Sequence, residues 1–212
     1  MQYHEMTIAG CKRRLPICRV NDKMSIAAFI MFSDVEITIR TAEELLKKVP
    51  DFDIIFTAEA KGIPLAYEMS RQSGKKYITA RKMSKLYMTE PVEISVKSIT
   101  TAREQKLFLD QSELDQLNGK RILIVDDVIS TGGSLYAMEE MIKRGGGEIV
   151  GKAAVLRDDG QGLEVICRVQ SVLIYYVVVL LSVHHVVALI GAGGDAGRVR
   201  KIEADGEAAV GI

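Results

Sequence analysis

RILIVDDVISTGGS, residues 121–134, is the stretch on which the reading of this 212-residue chain turns. Ile122, Leu123, Ile124 and Val125 form an unbroken apolar run, the pattern of a strand buried on both faces. The run delivers Asp126 and Asp127 to its end, and a loop of small residues, Ser130 to Ser134, leads into a helix. Gly132 and Gly133 let the backbone wrap a phosphate, Thr131 and Ser134 add hydroxyl donors, and the free N–H groups of the helix start favour an anion. The paired carboxylates cannot bind a phosphate themselves, but they suit ribose hydroxyls or a hydrated Mg²⁺. One loop thus reads a sugar and its phosphate. No Gly-Lys-Ser/Thr follows, so this is not a Walker-type loop.

Outward from this stretch the chain alternates strands and helices. Leu135, Met138 and Ile142 mark one face of a helix, Glu139 and Lys143 have the spacing of an outward i,i+4 pair, and Gly145 to Gly147 stop the helix. EIVGKAAVL (148–156) reads as a buried strand. Upstream, DIIFT (53–57) is a strand, IPLAYEMSRQ is a helix ending near Gly74, and KKYITA (75–80) is the next strand. PVEISVKSI and KLFLD alternate in the manner of a hairpin. Thr41-Ala-Glu-Glu44 has capping-box spacing before the helical pattern ELLKKV, which Pro50 stops. Strand–helix–strand, twice over, predicts an α/β fold, a parallel twisted sheet with helices on both faces. Ligands then belong in the turns after residues 57, 80 and 126, at the carboxyl ends of the strands.

Composition narrows the function classes. Hydrophobic residues make up 48 % and charged residues 26 %, a globular balance. Lys plus Arg (28) equal Asp plus Glu (28), so no basic excess exists to neutralise phosphates along a nucleic acid, and no nucleic-acid partner is expected. Cys11, Cys18 and Cys167 are odd in number and lack C-x-x-C spacing, which argues against a disulfide scaffold and a zinc site and fits a reducing cytoplasm. No secretory signal is read at the N-terminus.

Three segments carry a resemblance. VDDVISTGGS resembles the signature of the type I phosphoribosyltransferases, which bind 5-phosphoribosyl 1-pyrophosphate (PRPP). TAEAKGIPLA (57–66) is similar to the turn after the first core strand in the adenine enzymes of that family, and ARKMSKLY (80–87) to the start of their mobile, site-covering loop. The resemblance covers about residues 25–156. It implies a small N-terminal hood (1–50), a phosphoribosyltransferase core (51–156) with a hairpin-like flexible loop, and a homodimer in the cytoplasm. It further implies that Asp126 and Asp127 hold the ribose hydroxyls and Mg²⁺, directly or through water, as the catalytic pair. Ser130, Thr131, Gly132, Gly133 and Ser134 would grip the 5′-phosphate, and Glu59, Ala60, Lys61, Gly62, Arg81, Lys82 and Lys85 would surround the pyrophosphate. The implied reaction is displacement at C1 of PRPP by a ring nitrogen of a purine, releasing pyrophosphate.

Adenine is favoured as the base, because Ser130 stands where some enzymes for 6-oxopurines carry an Asp that assists the proton on the base. SVKSITTARE (95–104) offers Glu104, offset from where the adenine enzymes place a loop carboxylate, so no general base is assigned. A 6-oxopurine or pyrimidine substrate, and a PRPP-binding regulator without catalysis, stay open as alternatives.

Residues 157–212 differ in composition. All nine Met, five Phe and four Pro lie before residue 157, while Val supplies 11 of the last 56 residues and Val169–Ile190 has no charged side chain. Three readings stay open for this atypical apolar tail: a pair of buried strands, a segment read out of frame, and a membrane anchor, the last resting on length alone.

Overall fold

The computed structural model describes residues 2–22, 24–97, 104–129, 133–158, 163–164, 166–169 and 174–177. Three strands open the chain, β1 (Tyr3–Ile8), β2 (Cys11–Asn21) and β3 (Met24–Ala27), followed by helix α1 (Val35–Leu46). Next come β4 (Ile54–Ala58), α2 (Ile63–Ser73) and β5 (Lys76–Ala80). A hairpin of β6 (Pro91–Lys97) and β7 (Glu104–Asp110) leads to α3 (Gln111–Leu114) and a 3₁₀ turn at Asp115–Leu117. The last core unit is β8 (Arg121–Ile129), α4 (Gly133–Arg144) and β9 (Glu148–Asp158), after which lie β10 (Leu163–Glu164), β11 (Ile166–Val169) and β12 (Ile174–Val177).

The main sheet runs β5-β4-β8-β9, all parallel, as the alternating pattern predicts. Successive side chains of a strand feed opposite faces. Ile55 of β4 and Leu123 and Val125 of β8 pack with Ile37 and Leu45 of α1 and Leu65 and Met69 of α2. Ile54, Phe56, Ile122 and Ile124 pack instead with Leu135, Met138, Met141 and Ile142 of α4 and with Leu107 and Leu109 of the hairpin. Helices therefore cover both faces, and α2 ends on Gly74 at a left-handed φ of 69°.

β1, β2 and β3 make a separate antiparallel sheet, turned at Ala9 and Gly10, both with positive φ. Met6, Ile8, Cys11 and Leu15 of this sheet are buried in the same cluster as α1 and α2, so the N-terminal region shares its core with the parallel sheet.

Four sequence readings are corrected. Helix α1 does not start at the Thr41–Glu44 capping box. It starts at Val35, because Asp34 accepts from the Ile37 N–H at 3.2 Å and is held by Arg13 of β2, whose Nε lies 2.6 Å from Oδ2. A cap anchored by a residue distant in sequence prevails over the local motif, and Thr41 is buried mid-helix. β8 runs two residues past the aspartate pair, because Val128 and Ile129 pair with Leu156 and Arg157 of β9. Glu139 does not pair outward with Lys143: it turns inward to Lys152 of β9, a buried lysine, and Lys143 takes Glu140 at 2.7 Å. The strand read over 148–156 continues to Asp158, with β10, β11 and β12 at its outer edge.

Parts of the 169–190 apolar run are thus strand, at Val169 and Ile174–Val177, and the rest of the run lies outside the described residues. Among the described residues no helix is long and apolar enough to cross a membrane. Cys11 and Cys18 are free thiols.

Candidate active site

The turns after β4 and β5 meet the last residues of β8 at the carboxyl ends of the three strands. β8 carries Asp126 and Asp127 there, and the Asp127 N–H donates to Asp126 Oδ1 at 2.8 Å. Burial and the neighbouring Asp127 charge push the Asp126 carboxyl well above its ordinary range, the backbone N–H only partly opposing them. Asp127 is 4 % exposed. Lys61 Nζ approaches its Oδ2 to 2.8 Å as an ion pair, yet that oxygen has no aligned hydrogen-bond donor among the described residues. The pair is therefore an acidic recess with spare acceptor capacity and one lysine leaning on it.

The turn after β4, residues 58–62, abuts this recess. Its Glu59–Ala60 peptide is cis. Gly62 has ordinary helical φ of −71°, so its need is for space and not for conformation. A Cβ there would lie 2.5 Å from Thr57 Oγ1, 2.8 Å from Asp126 Oδ1 and 3.1 Å from Asp126 Cα. Only glycine lets this turn close against β8. Thr57 Oγ1, at the same junction, is buried without a hydrogen-bond partner among the described residues.

Glu59 faces the turn after β5. Its Oε2 accepts the Lys82 backbone N–H at 2.9 Å, and Oε1 lies 3.4 Å from both Arg81 Nη1 and Lys85 Nζ. Burial alone would raise the Glu59 carboxyl, but the Lys82 N–H, Lys85 and Arg81 outweigh it and leave the group below its usual range. Arg81 also exchanges two backbone hydrogen bonds of 2.8 Å with Phe108, which fastens the root of the hairpin arm to the end of β5.

The sequence-predicted residues Glu59, Ala60, Lys61, Gly62, Arg81, Lys82 and Lys85 thus sit on the adjoining turns after β4 and β5, and Asp126 and Asp127 sit beside them within β8. Gly133 and Ser134 open α4, and Ser130, Thr131 and Gly132 lie outside the described residues, as do Ser98 to Thr101 of the arm. Two residues were not read from the sequence. Thr57 is one, and Gln105 of β7 is the other: its Oε1 is 3.5 Å from Ser134 Oγ, where Ser134 donates, and its Cγ is 3.6 Å from where a Cβ of Gly133 would be. Nothing local marks Gln105, because only the β6–β7 register brings it to the helix start.

An acidic strand end, a glycine-tight turn and a cationic arm on a doubly covered parallel sheet are the arrangement that the resemblance to the type I phosphoribosyltransferases implies. The phosphoribosyl transferase domain family matches residues 35–179, and the chain belongs to that family. The match continues past the composition change at 157 and takes in β10, β11 and β12. The adenine phosphoribosyltransferase of Thermotoga petrophila is 31 % identical over 134 residues, 58 % of this chain and 75 % of that protein. The hypoxanthine/guanine phosphoribosyltransferase of Methanococcus voltae is 38 % identical over 112 residues, 52 % of this chain and 56 % of that protein. The crystal structure of adenine phosphoribosyltransferase from Thermoanaerobacter pseudethanolicus shares the fold with a TM-score of 0.56 at 21 % identity, covering 74 % of this chain and 84 % of that one. The resemblance to type I phosphoribosyltransferases, and among them to the adenine enzymes, is borne out.

Proposed function

We propose that this chain is a pentosyltransferase of purine salvage that transfers the 5-phosphoribosyl group of PRPP to a purine, adenine favoured, giving the nucleoside 5′-monophosphate and pyrophosphate. The observation that carries the reading is the junction of Asp126, Asp127, Lys61 and Gly62, where an acidic recess meets an anion-binding turn at van der Waals distance. In this reading Asp126 and Asp127 hold the ribose hydroxyls, Lys61 leaves Asp127 for the pyrophosphate, and Arg81, Lys82 and Lys85 stabilise the charge that builds there as the C1 bond breaks. Gly133 and Ser134, with Ser130, Thr131 and Gly132, hold the 5′-phosphate at the start of α4. That anchor is remote from C1 and positions the reacting carbon. The separate β1–β3 sheet serves as a hood over the base.

Mg²⁺ fits the recess on the chemistry of its donors. Asp127 Oδ2 is buried with no aligned donor. Among the described residues no cluster of three or more His, Cys, Asp or Glu forms a protein-only cage. Mg²⁺ is commonly held by one or two carboxylates together with water and substrate oxygens, and the Asp126–Asp127 pair could supply such carboxylates once Lys61 leaves Asp127. When bound, Mg²⁺ would neutralise pyrophosphate charge, and Asp126 and Asp127 are the residues that would hold it. A homodimer in the cytoplasm completes the reading.

The hypoxanthine/guanine relative from Methanococcus voltae, at 38 % identity, supports a second reading with a 6-oxopurine base. Nucleotide formation with PRPP and Mg²⁺, offered adenine, hypoxanthine, guanine, xanthine, uracil and orotate in parallel, separates the two. Turnover of adenine above all others is expected. Preference for hypoxanthine or guanine keeps the class and overturns the base, and turnover of none points to a PRPP-binding regulator.

A further inference from the structure

We infer that Glu59 is a positioning residue for pyrophosphate, a ligand it does not touch: its carboxylate gathers the root of the arm, Arg81 to Lys85, into a preassembled cationic seat. The inference rests on the phosphoribosyl-transfer reading and gives Glu59 a different role from the anion contact that resemblance implies.

Glu59 is tied on both sides. Its own N–H donates to Ala80 O at 2.9 Å, and its Oε2 accepts the Lys82 N–H at 2.9 Å, so one residue links the ends of β4 and β5. Oε1 stands 3.4 Å from Arg81 Nη1 and 3.4 Å from Lys85 Nζ. The Glu59 side chain is 20 % exposed, against 30 % for Arg81 and 34 % for Lys85, so the carboxylate lies deeper than the cations it holds. A carboxylate turned toward pyrophosphate would repel it, whereas one set behind two cations offsets their mutual repulsion. Long cationic side chains ordered before the ligand arrives lose less conformational freedom on binding. Both ion pairs are longer than the roughly 2.7–2.9 Å of a tight charge-assisted bond. An arriving anion can therefore draw the side chains forward while the Lys82 N–H keeps the turn in place.

The test is calorimetric titration of the full chain with inorganic pyrophosphate and with PRPP, for the parent, Glu59→Gln and Glu59→Ala, beside KM and kcat. Gln keeps an acceptor for the Lys82 N–H and loses the charge, and Ala loses both. Pyrophosphate affinity is expected to fall in the order parent, Glu59→Gln, Glu59→Ala. For Ala the loss is about tenfold, that of one hydrogen bond to a charged group. KM for PRPP should rise in step while KM for the base stays unchanged, a split that a general loosening of the fold would not produce. Tighter pyrophosphate binding by either variant would show the carboxylate to be a competitor and overturn the inference, as would unchanged binding by both. A parent chain that binds neither pyrophosphate nor PRPP removes the phosphoribosyl reading itself, and the inference falls with it.

Discussion

At the scale of single residues, the site is decided by which atoms are close and which are charged. Gly62 is the sharpest case, because its missing Cβ is what allows the turn to lie against Asp126. Gly62→Ala is expected to destabilise the protein by about 1–3 kcal/mol through overpacking against backbone and a buried carboxylate, measured by urea denaturation. It should also reduce kcat/KM at least about a hundredfold, since misplacement of reacting groups by an ångström has that effect. Asp126 carries a different signature. Its folded pKa is raised by burial and by Asp127, so the native state holds that proton more tightly than the unfolded chain does. Stability from this group is full at pH below the ordinary aspartate range and is lost as pH rises through the folded value. Asp126→Asn, which cannot ionise, is therefore expected to raise Tm at about pH 8 and to lose that advantage as pH falls toward about 4, the ordinary aspartate range, in melts of the unliganded protein. A variant that melts lower than the parent at pH 8 would contradict the account. Residue identities at this scale were legible in the sequence, since order and residue type mark the three turns. The role of Glu59 was not, because sequence shows that a carboxylate is near cations but not which of them it faces.

Elements were legible where the local pattern and the tertiary pairing agree. β4, α2, β5, the β6–β7 hairpin and α4 all follow from periodicity and glycine stops, and each is found where those signals place it, while β9 starts where expected and runs two residues further. The departures share one physical cause, which is a long-range partner. Asp34 caps α1 with the help of Arg13, twenty-one positions away, and the local Thr41 motif is overridden. β1 and β2 turn at Ala9-Gly10 without an Asn-Gly or Asp-Gly signal, and their pairing is stabilised by burial of Met6, Ile8 and Leu15 against α1 and α2. Glu139 and Lys152 meet across the α4–β9 contact, with side chains 16 % and 4 % exposed, which no i,i+4 rule anticipates. Because Glu139→Ala would leave a buried lysine without its counter-charge, it is expected to destabilise by about 3–5 kcal/mol in chemical denaturation. A loss within about 0.5 kcal/mol, typical of a surface change, would show that the pair is solvated and α4 is held otherwise.

For the whole molecule, the parallel sheet and the ends of its strands that line the site were legible from four strand segments and two helices, but the pairing beyond β9 was not. Composition changes at 157; the β-branched richness of the tail allows a pair of buried strands as one of three readings, but does not foretell that the family match continues to 179 or that β10, β11 and β12 join β9. A chain ended after residue 156 leaves the outer edge of β9 unpaired and should associate or precipitate in size-exclusion chromatography more than one ended after residue 179, which keeps β10, β11 and β12. Equal behaviour of the two would show that the added strands contribute nothing to the sheet. The proposed site lies at the carboxyl ends of β4, β5 and β8, where the turns after β4 and β5 meet Asp126 and Asp127. The most direct measurement is release of pyrophosphate from PRPP by the purified full chain with Mg²⁺ and adenine, beside Asp127→Ala. The expected result is base-dependent release by the parent and at least about a hundredfold loss in the variant, the scale for removing a preorganised charge at a reacting centre. Release that is independent of the base, or equal in parent and variant, would contradict phosphoribosyl transfer at this site.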